Sequence, residues 1–561
     1  MSGLPSRSPL VALTRLLPRR SDYAGLRGSW KADVVAGMTV GIVALPLALA
    51  FGITTGLGAE AGLVTAIVAG LVAAVFGGSS VQVSGPTGAM TVVLVPVVAR
   101  YGADAVLIVG ILAGVLVVAA AFLRLGRYLA FVPWPVIEGF TLGIAVIIFL
   151  QQVPMALGVA RPDGENTAVV AARAVGDALD HGRGEALGLV VLVAAVMAVL
   201  PRFHRSLPAS LIAVAAATVV GEAAHLDVPR IGSLPSSLPL PALPSVSADQ
   251  VSTLFSAALA VAVLAALESL LSAKVADGMA DGPRHDPDRE LFGQGLANIV
   301  SPLFGGMPAT GAIARTAVNV RTGARTRVAS IVHALVLVLV VAFAGGVVAK
   351  VPLAALAGVL MVTASRMVEV HNVRAVVRAT RSDAVVLTLT ALTTVAFDLI
   401  LAVEVGLAAA AVLALRQVAL TAQVTAVSPD ELDPDEADSL RHEGILTYRL
   451  DGALFFGAAQ RFLTELTAVS DATVVVLRLP EIQVLDATGA QALGEIVSEL
   501  EARGITVLLK GPRPEHLRVL VATGALDHLA HENHLFEDLD AALAHARTHV
   551  ERRPDRRAAL A

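Results

Sequence analysis

The sequence predicts an α-helical polytopic membrane domain followed by a smaller α/β domain, and three observations carry this reading. The 561 residues are 56% hydrophobic and only 16% charged, with mean hydropathy +0.75, where a soluble chain runs near roughly 25% charged. A bilayer core about 30 Å thick needs roughly 20 apolar residues per helix, and such runs recur between positions 34 and 418, 136–153 and 331–348 among them. Beyond Leu420 the character changes: 428–443 is acidic and contains proline, and the remainder alternates short apolar runs with charged segments. The expected division is an N-terminal arm over 1–30, a transmembrane transport domain over 31–422, an acidic linker over 423–440, an α/β domain over 441–552 and a tail over 553–561.

The N-terminal arm and its edge carry Arg7, Arg15, Arg19, Arg20, Arg27 and Lys31 with no apolar signal region ahead of the first span. This predicts an arm kept in the cytoplasm. A net charge of −5 gives no global basic field, so no nucleic-acid partner is expected. With no cysteine, disulfides, thiolate metal sites and cysteine nucleophiles are excluded.

Hydropathy places spans at 33–56, 59–78, 85–99, 103–123, 129–153, 185–200, 207–223, 251–275, 290–305, 309–321, 328–349, 353–368, 382–400 and 402–420, fourteen in all. With the N-terminus inside, Arg124/Arg127, Arg202/Arg205, Arg321/Arg325/Arg327 and Arg366/Arg374/Arg378/Arg381 all fall on the cytoplasmic side, as the positive-inside bias requires. An even count returns the C-terminal domain to the cytoplasm of a cell whose inner (plasma) membrane holds the chain.

Two spans, 85–99 and 309–321, are too short to cross, and both follow Gly- and Pro-containing sequence, 79–86 and 305–311. They stand third and tenth in the order, seven apart, as two inverted seven-span repeats would place them. Such half-helices direct their N-termini, each equivalent to roughly +0.5 charge with unpaired N–H groups, at one point near the midplane. That point attracts anions. Glu268 lies in the otherwise apolar run 254–271; a carboxyl there is costly unless protonated, paired or facing a wet cavity, which makes it a functional candidate. Arg315, inside the second half-helix, either forks onto a bound oxyanion or lies behind the site and supplies field.

The half-helix sequences read Gln82-Val83-Ser84-Gly85-Pro86-Thr87-Gly88-Ala89-Met90-Thr91 and Pro308-Ala309-Thr310-Gly311-Ala312-Ile313-Ala314-Arg315-Thr316, with Thr322-Gly323 following. Together with Asp33-Val34-Val35-Ala36-Gly37-Met38-Thr39-Val40-Gly41, Pro46 and Phe51-Gly52, they resemble the signature segments of the sulfate permease (SulP) family of anion transporters. The resemblance implies a seven-plus-seven inverted repeat with core and gate domains, and a homodimer. It implies that Thr87, Gly88, Gly311 and Ala312 sit at the anion-contacting tips. Ile313 falls where some bicarbonate carriers of the family have a hydroxyl, and Ala314 where several animal members have serine. It also implies that Glu268 and Ser272, one helical turn apart, take the place of the carboxylate and hydroxyl that hold Na⁺ in sodium-coupled members. Here Glu replaces Asp and Ser replaces Thr, so H⁺ and Na⁺ both stand as coupling ions. No other cofactor is expected.

In the C-terminal domain the pattern is strand 445–450, a Gly-containing turn, an extended piece 454–456, a helix, strand 473–479, a helix from Thr488, strand 505–509, a helix from Pro514 and a last helix over 541–550. Leu485-Asp486-Ala487-Thr488-Gly489 resembles the strand-to-helix motif of STAS domains, with Ala487 where phosphorylatable relatives carry Ser; a regulatory or dimerising module is implied. Glu138, Asp398 and Glu404 read as interfacial carboxylates, and the thirteen histidines as lacking metal-ligand spacing. The function expected is a secondary active transporter of bicarbonate, sulfate or dicarboxylate. The competing readings are a nucleobase-type symporter and a membrane-anchored signalling protein. With no nucleophile, metal cluster or cofactor fingerprint, an enzyme is not expected.

Overall fold

A computed structural model describes residues 16–552 except 128–131, 165, 182–183, 204–206, 235–236, 243–247, 281, 398, 422, 427–442 and 456–471. It divides into two compact units, Met1–Leu407 and Ala408–Ala561.

The first unit is helical. Its first half runs α1 (Leu26–Thr54), α2 (Ala59–Phe76), β1 (Ser84–Gly85), α3 (Gly88–Tyr101), α4 (Ala103–Phe122), α5 (Trp134–Gln151), α6 (Thr167–His181), α7 (Gly184–Phe203) and α8 (Ala209–Ala223). Its second half repeats the order: α9 (Ala248–Met279), α10 (Pro287–Leu303), β2 (Thr310–Gly311), α11 (Ile313–Arg321), α12 (Val328–Val348), α13 (Leu353–Met367), α14 (Val370–Ala379), α15 (Arg381–Ala396) and the start of α16 (Leu399–Thr421), whose remainder from Ala408 belongs to the second unit. Among the described residues eight helices are long and apolar enough by length and composition to cross a bilayer.

Two differences from the sequence expectation are informative. α6 and α14 were not expected as helices, and each occupies the same place in its half, after the fifth span. Their apolar residues lie along one face only, too short and too one-sided for a hydropathy window tuned to spans. The first span begins at Leu26, seven residues ahead of the expected 33, because the polar stretch up to Lys31 is already helical.

Helices α1–α4 pack with α9–α12, whereas α5, α7 and α8 pack with α13, and α5 also with α15. Close backbone approach holds the first group together: a Cβ on Gly62 of α2 would lie 1.9 Å from the Ala48 carbonyl oxygen of α1, and one on Gly114 of α4 would lie 2.6 Å from the Gly295 carbonyl oxygen of α10. In a lipid setting such small-residue contacts supply the van der Waals packing that hydrophobic exclusion cannot. At one end of the bundle Asp33 gathers the Arg325 N–H at 2.7 Å, the Thr326 N–H at 3.0 Å and the Ser29 hydroxyl at 2.7 Å. Beside it Asp22 accepts from Nη1 and Nη2 of Arg289, at 2.9 and 2.6 Å.

The second unit contains an α/β fold. Its sheet has the order β3 (Gln423–Ala426), β4 (Ile445–Leu454), β5 (Val474–Arg478), β7 (Thr506–Lys510), β8 (Leu535–Phe536), with β6 (Ile482–Leu485) also pairing β4. Only β3 runs antiparallel to its neighbour. Ile445, Val474, Val476 and Leu508 face α19 (Leu539–Glu551), while Leu450, Val475, Leu477, Val507 and Leu509 face α17 (Ala487–Ala502) and α18 (Pro514–Ala522). This alternation is what strands covered on both faces require.

The acidic linker expected over 423–440 begins as β3, because Gln423-Val-Thr-Ala can pair with Tyr448–Asp451. The turn expected after 450 is instead a bend within one strand, where Gly452 (φ +90°) shifts the register with β6. The helix expected after 456 lies outside the described residues. Histidines expected to lack ligand spacing come together at the far edge of the sheet, where His534, His545 and His549 place ring nitrogens within 4.8 Å of one another.

Candidate functional site

The two short segments converge as crossed strands and half-helices. β1 and β2 pair antiparallel, Ser84 with Gly311 and Gly85 with Thr310, and the Ala312 N–H extends the ladder to the Val83 carbonyl at 2.8 Å. Non-helical backbone at membrane depth must have its polar groups satisfied by protein, and neighbouring helices do this. Gln294 Nε2 and Asn298 Nδ2 of α10 donate to the Ala309 carbonyl at 2.7 and 2.9 Å, and Asn298 Oδ1 accepts from the Ala309 N–H at 2.8 Å. Ser330 donates to the Gln82 carbonyl at 2.7 Å, and Asn319 to that of Val81 at 2.8 Å.

Each strand opens into a helix N-terminus. Thr87 caps α3, accepting weakly from the Met90 N–H at 3.4 Å; α11, after Ala312, has no side-chain cap. The first N–H groups of a helix have no intrahelical partner. This leaves donors at Gly88 and Ala89 on one side and at Ile313 and Ala314 on the other. Ile313 is 40% exposed and Ala314 is also exposed.

Glu268 on α9 joins the two tips. Its Oε2 accepts from Thr87 Oγ1 at 2.8 Å and from Thr310 Oγ1, and the two hydroxyl oxygens are 3.1 Å apart. As a residue Glu268 is partly buried.

Not every expected contact is at the tips. Ser272 is fully buried one turn from Glu268 and faces Thr316 Oγ1 at 3.2 Å, while that hydroxyl accepts from the Val83 N–H at 3.0 Å. The Gly311 N–H is taken by Ser269 Oγ at 3.0 Å, and a Cβ at Gly311 would meet Gln82 Nε2 at 1.9 Å. Gly311 therefore permits close packing behind the strands and offers no free donor. Gly88 sits against Ile148 of α5, whose Cδ1 would be 2.1 Å from a Cβ there.

Arg315 is 3% exposed; its Nη2 donates to the Pro86 carbonyl and its Nη1 lies 2.7 Å from where a Gly85 Cβ would be. The guanidinium is thus held behind the first tip through Nη2, while Nη1 is buried and has no hydrogen-bond partner among the described residues. Thr310 and Ser269 were not singled out in the sequence. Thr310 belongs to the quoted motif, but nothing in a linear pattern says that its hydroxyl turns toward α9. Glu138 accepts from Trp134 and Asn372 at 2.9 and 3.1 Å, Glu404 is exposed, and Asp398 lies outside the described residues.

The sulfate permease family profile matches residues 30–390 and the STAS domain profile residues 436–542. YvdB of Bacillus subtilis (strain 168), provisionally assigned to sulfate transport by its name, is 35% identical over 518 residues, covering 91% of this chain and 97% of that protein. The bicarbonate transporter BicA of Picosynechococcus sp. is 31% identical over 511 residues, covering 86% and 88%. Among solved structures, the transmembrane domain of a cyanobacterium bicarbonate transporter BicA matches at TM-score 0.61 and 32% identity over 68% of this chain and 97% of that one. The murine anion transporter Slc26a9 in its inward-facing state matches at TM-score 0.82 over 98% and 97%. At 17% identity that last likeness speaks to fold alone.

Proposed function

This chain belongs to the sulfate permease family, and on that premise we propose that it is a secondary active transporter that carries bicarbonate, sulfate or a dicarboxylate in symport with a cation, H⁺ in preference to Na⁺. The anion binds between the two half-helices, at the N–H groups of Gly88 and Ala89 and of Ile313 and Ala314, with the helix dipoles and the buried charge of Arg315 supplying the field. The observation that carries the reading is Glu268. It is a single carboxyl hydrogen-bonded by a hydroxyl from each half-helix, so its charge state is sensed at both tips of the anion site.

Coupling follows from charge. A carboxylate beside the site repels an arriving anion, and a proton on Glu268 removes that repulsion. One H⁺ moving with a monovalent anion carries no net charge, whereas an uncoupled monovalent anion entering against 100 mV is opposed by about 2.3 kcal/mol. Ser272, spent on Thr316, is poorly placed to complete a Na⁺ shell with Glu268, which supports the proton. Alternating access is the motion of the α1–α4/α9–α12 group against the other helices. We also propose a plasma-membrane homodimer, as the family resemblance implies, with both termini in the cytoplasm on the arginine bias of the loops.

Uptake of radiolabelled bicarbonate, sulfate and fumarate into proteoliposomes, with pH and Na⁺ gradients imposed separately, tests this. One of the three should accumulate in response to an inward proton gradient. Uptake that requires Na⁺ at a fixed pH gradient would overturn the proton assignment, and transport of none of the three would overturn the substrate class.

A further inference from the structure

We propose that the C-terminal domain binds a divalent first-row transition metal, Zn²⁺ above all, through His534, His545 and His549. Two separate segments of the chain converge there. His545 and His549 are four residues apart on α19 and so share one face. His534 ends the turn Glu532–His534 that leads into edge strand β8. Packing α19 across the sheet brings the three rings together, with centroids 5.4 Å (534 to 545), 5.1 Å (534 to 549) and 4.9 Å (545 to 549) apart.

The distances suit a metal. Nε2 of His545 and Nε2 of His549 face each other at 3.2 Å. Zn–N bonds of about 2.0–2.1 Å set neighbouring nitrogens of a tetrahedral site about 3.4 Å apart. One potential ligand atom from each of the three residues lies within 4.8 Å of those of the others.

The chemistry of the rings points the same way. His534 is 1% exposed; apart from an approach to the backbone of Val507, its ring nitrogens have no hydrogen-bond partner among the described residues. A buried polar group without a partner is costly, and a metal would satisfy one of the two nitrogens. Three imidazoles with no carboxylate favour Zn²⁺, Co²⁺, Ni²⁺ or Cu²⁺ over Mg²⁺ or Ca²⁺. The exposed ring of His531, its centroid 5.4 Å from that of His534, stands at the mouth of the cluster, where a fourth ligand or water would enter. A metal so held would clip α19 to the edge of the sheet.

The test uses the full-length protein in detergent, purified through a histidine-free tag and stripped of metal with a chelator. Co²⁺ is titrated while the visible d–d absorption is followed, and Zn²⁺ is then measured by competition with a chromogenic chelator. Expected is one equivalent per chain with the intense absorption of a tetrahedral site. Because even loss of an outer-shell partner costs about 10–100-fold in affinity, His549→Gln or His545→Gln should weaken binding at least that much, and His528→Gln, exposed and outside the cluster, should not. Both cluster substitutions are at half-buried positions, and circular dichroism confirms that the variants are folded. His534→Ala is left as a secondary variant, since its buried site risks the fold. Absence of stoichiometric binding to the wild type, or binding of unchanged affinity in both folded His545→Gln and His549→Gln, overturns the proposal.

Discussion

Replacing Arg315 with Met removes a buried positive charge and keeps a flexible apolar stem. The guanidinium is 3% exposed and committed to the Pro86 carbonyl, so its effect on a bound anion is through space. For a separation taken as on the order of 8 Å and an effective dielectric constant near 20, a unit charge contributes about 2 kcal/mol, or roughly thirtyfold in affinity. Arg315→Met should weaken binding by about that factor, and Arg315→Lys, which keeps the charge, should recover much of it. The loss should change little between low and high salt, because ions do not enter the packed space around the group. Isothermal calorimetry with the transported anion measures it, and thermal unfolding of the same samples separates a binding defect from a folding one. Wild-type affinity in Arg315→Met refutes the field argument. Arg315→Lys as weak as Arg315→Met would mean that the planar fork touches the anion after all.

Other expectations follow from the same geometry. Thr310→Val removes one hydroxyl donor from Glu268; hydrogen bonds to charged groups contribute about 1.5–3 kcal/mol, so the initial rate of gradient-driven uptake should fall roughly ten- to hundredfold. Gly311→Val should act as a packing lesion against Gln82 and the Ser269 backbone, lowering thermal stability along with binding; a melting temperature equal to wild type would contradict that placement. Asp22 is held at about 2: burial alone would raise it, but the Arg289 and Arg19 hydrogen bonds and the charges of Arg327 and Arg289 outweigh that. Since the folded value lies below the ordinary value of 3.8, about 2.5 kcal/mol of stability is present above pH 4 and fades as pH falls toward 2. Asp22→Asn should remove this acid sensitivity and, by leaving Arg289 buried and unpaired, destabilise by about 3–5 kcal/mol in thermal or chemical unfolding.

The bundle was legible because bilayer thickness and backbone satisfaction leave few solutions: long apolar runs are helices, and the two short Gly/Pro-led runs are helices that begin mid-membrane. The same logic reached Glu268, since a lone carboxyl in an apolar run stands out. It did not reach Thr310, whose role depends on a hydrogen bond spanning 42 residues of sequence. Nor did it give the true part of Gly311, because its missing Cβ points at Gln82 and not toward the anion. In the C-terminal domain, β3 was hidden by its short length within a polar stretch and is recognisable only through its partner β4. The histidine cluster combines a helical spacing of four with a residue from a turn eleven positions earlier, a pattern that becomes a site only when α19 folds back over β8.

The most direct test of the account is concentrative uptake by Glu268→Gln in proteoliposomes under an inward proton gradient, compared with wild type reconstituted at equal density. The amide keeps the size of the protonated acid but cannot bind and release a proton as it crosses. The account predicts that wild type accumulates the anion above equilibrium, while Glu268→Gln equilibrates it by counterflow and accumulates none. Accumulation by Glu268→Gln equal to wild type would contradict it.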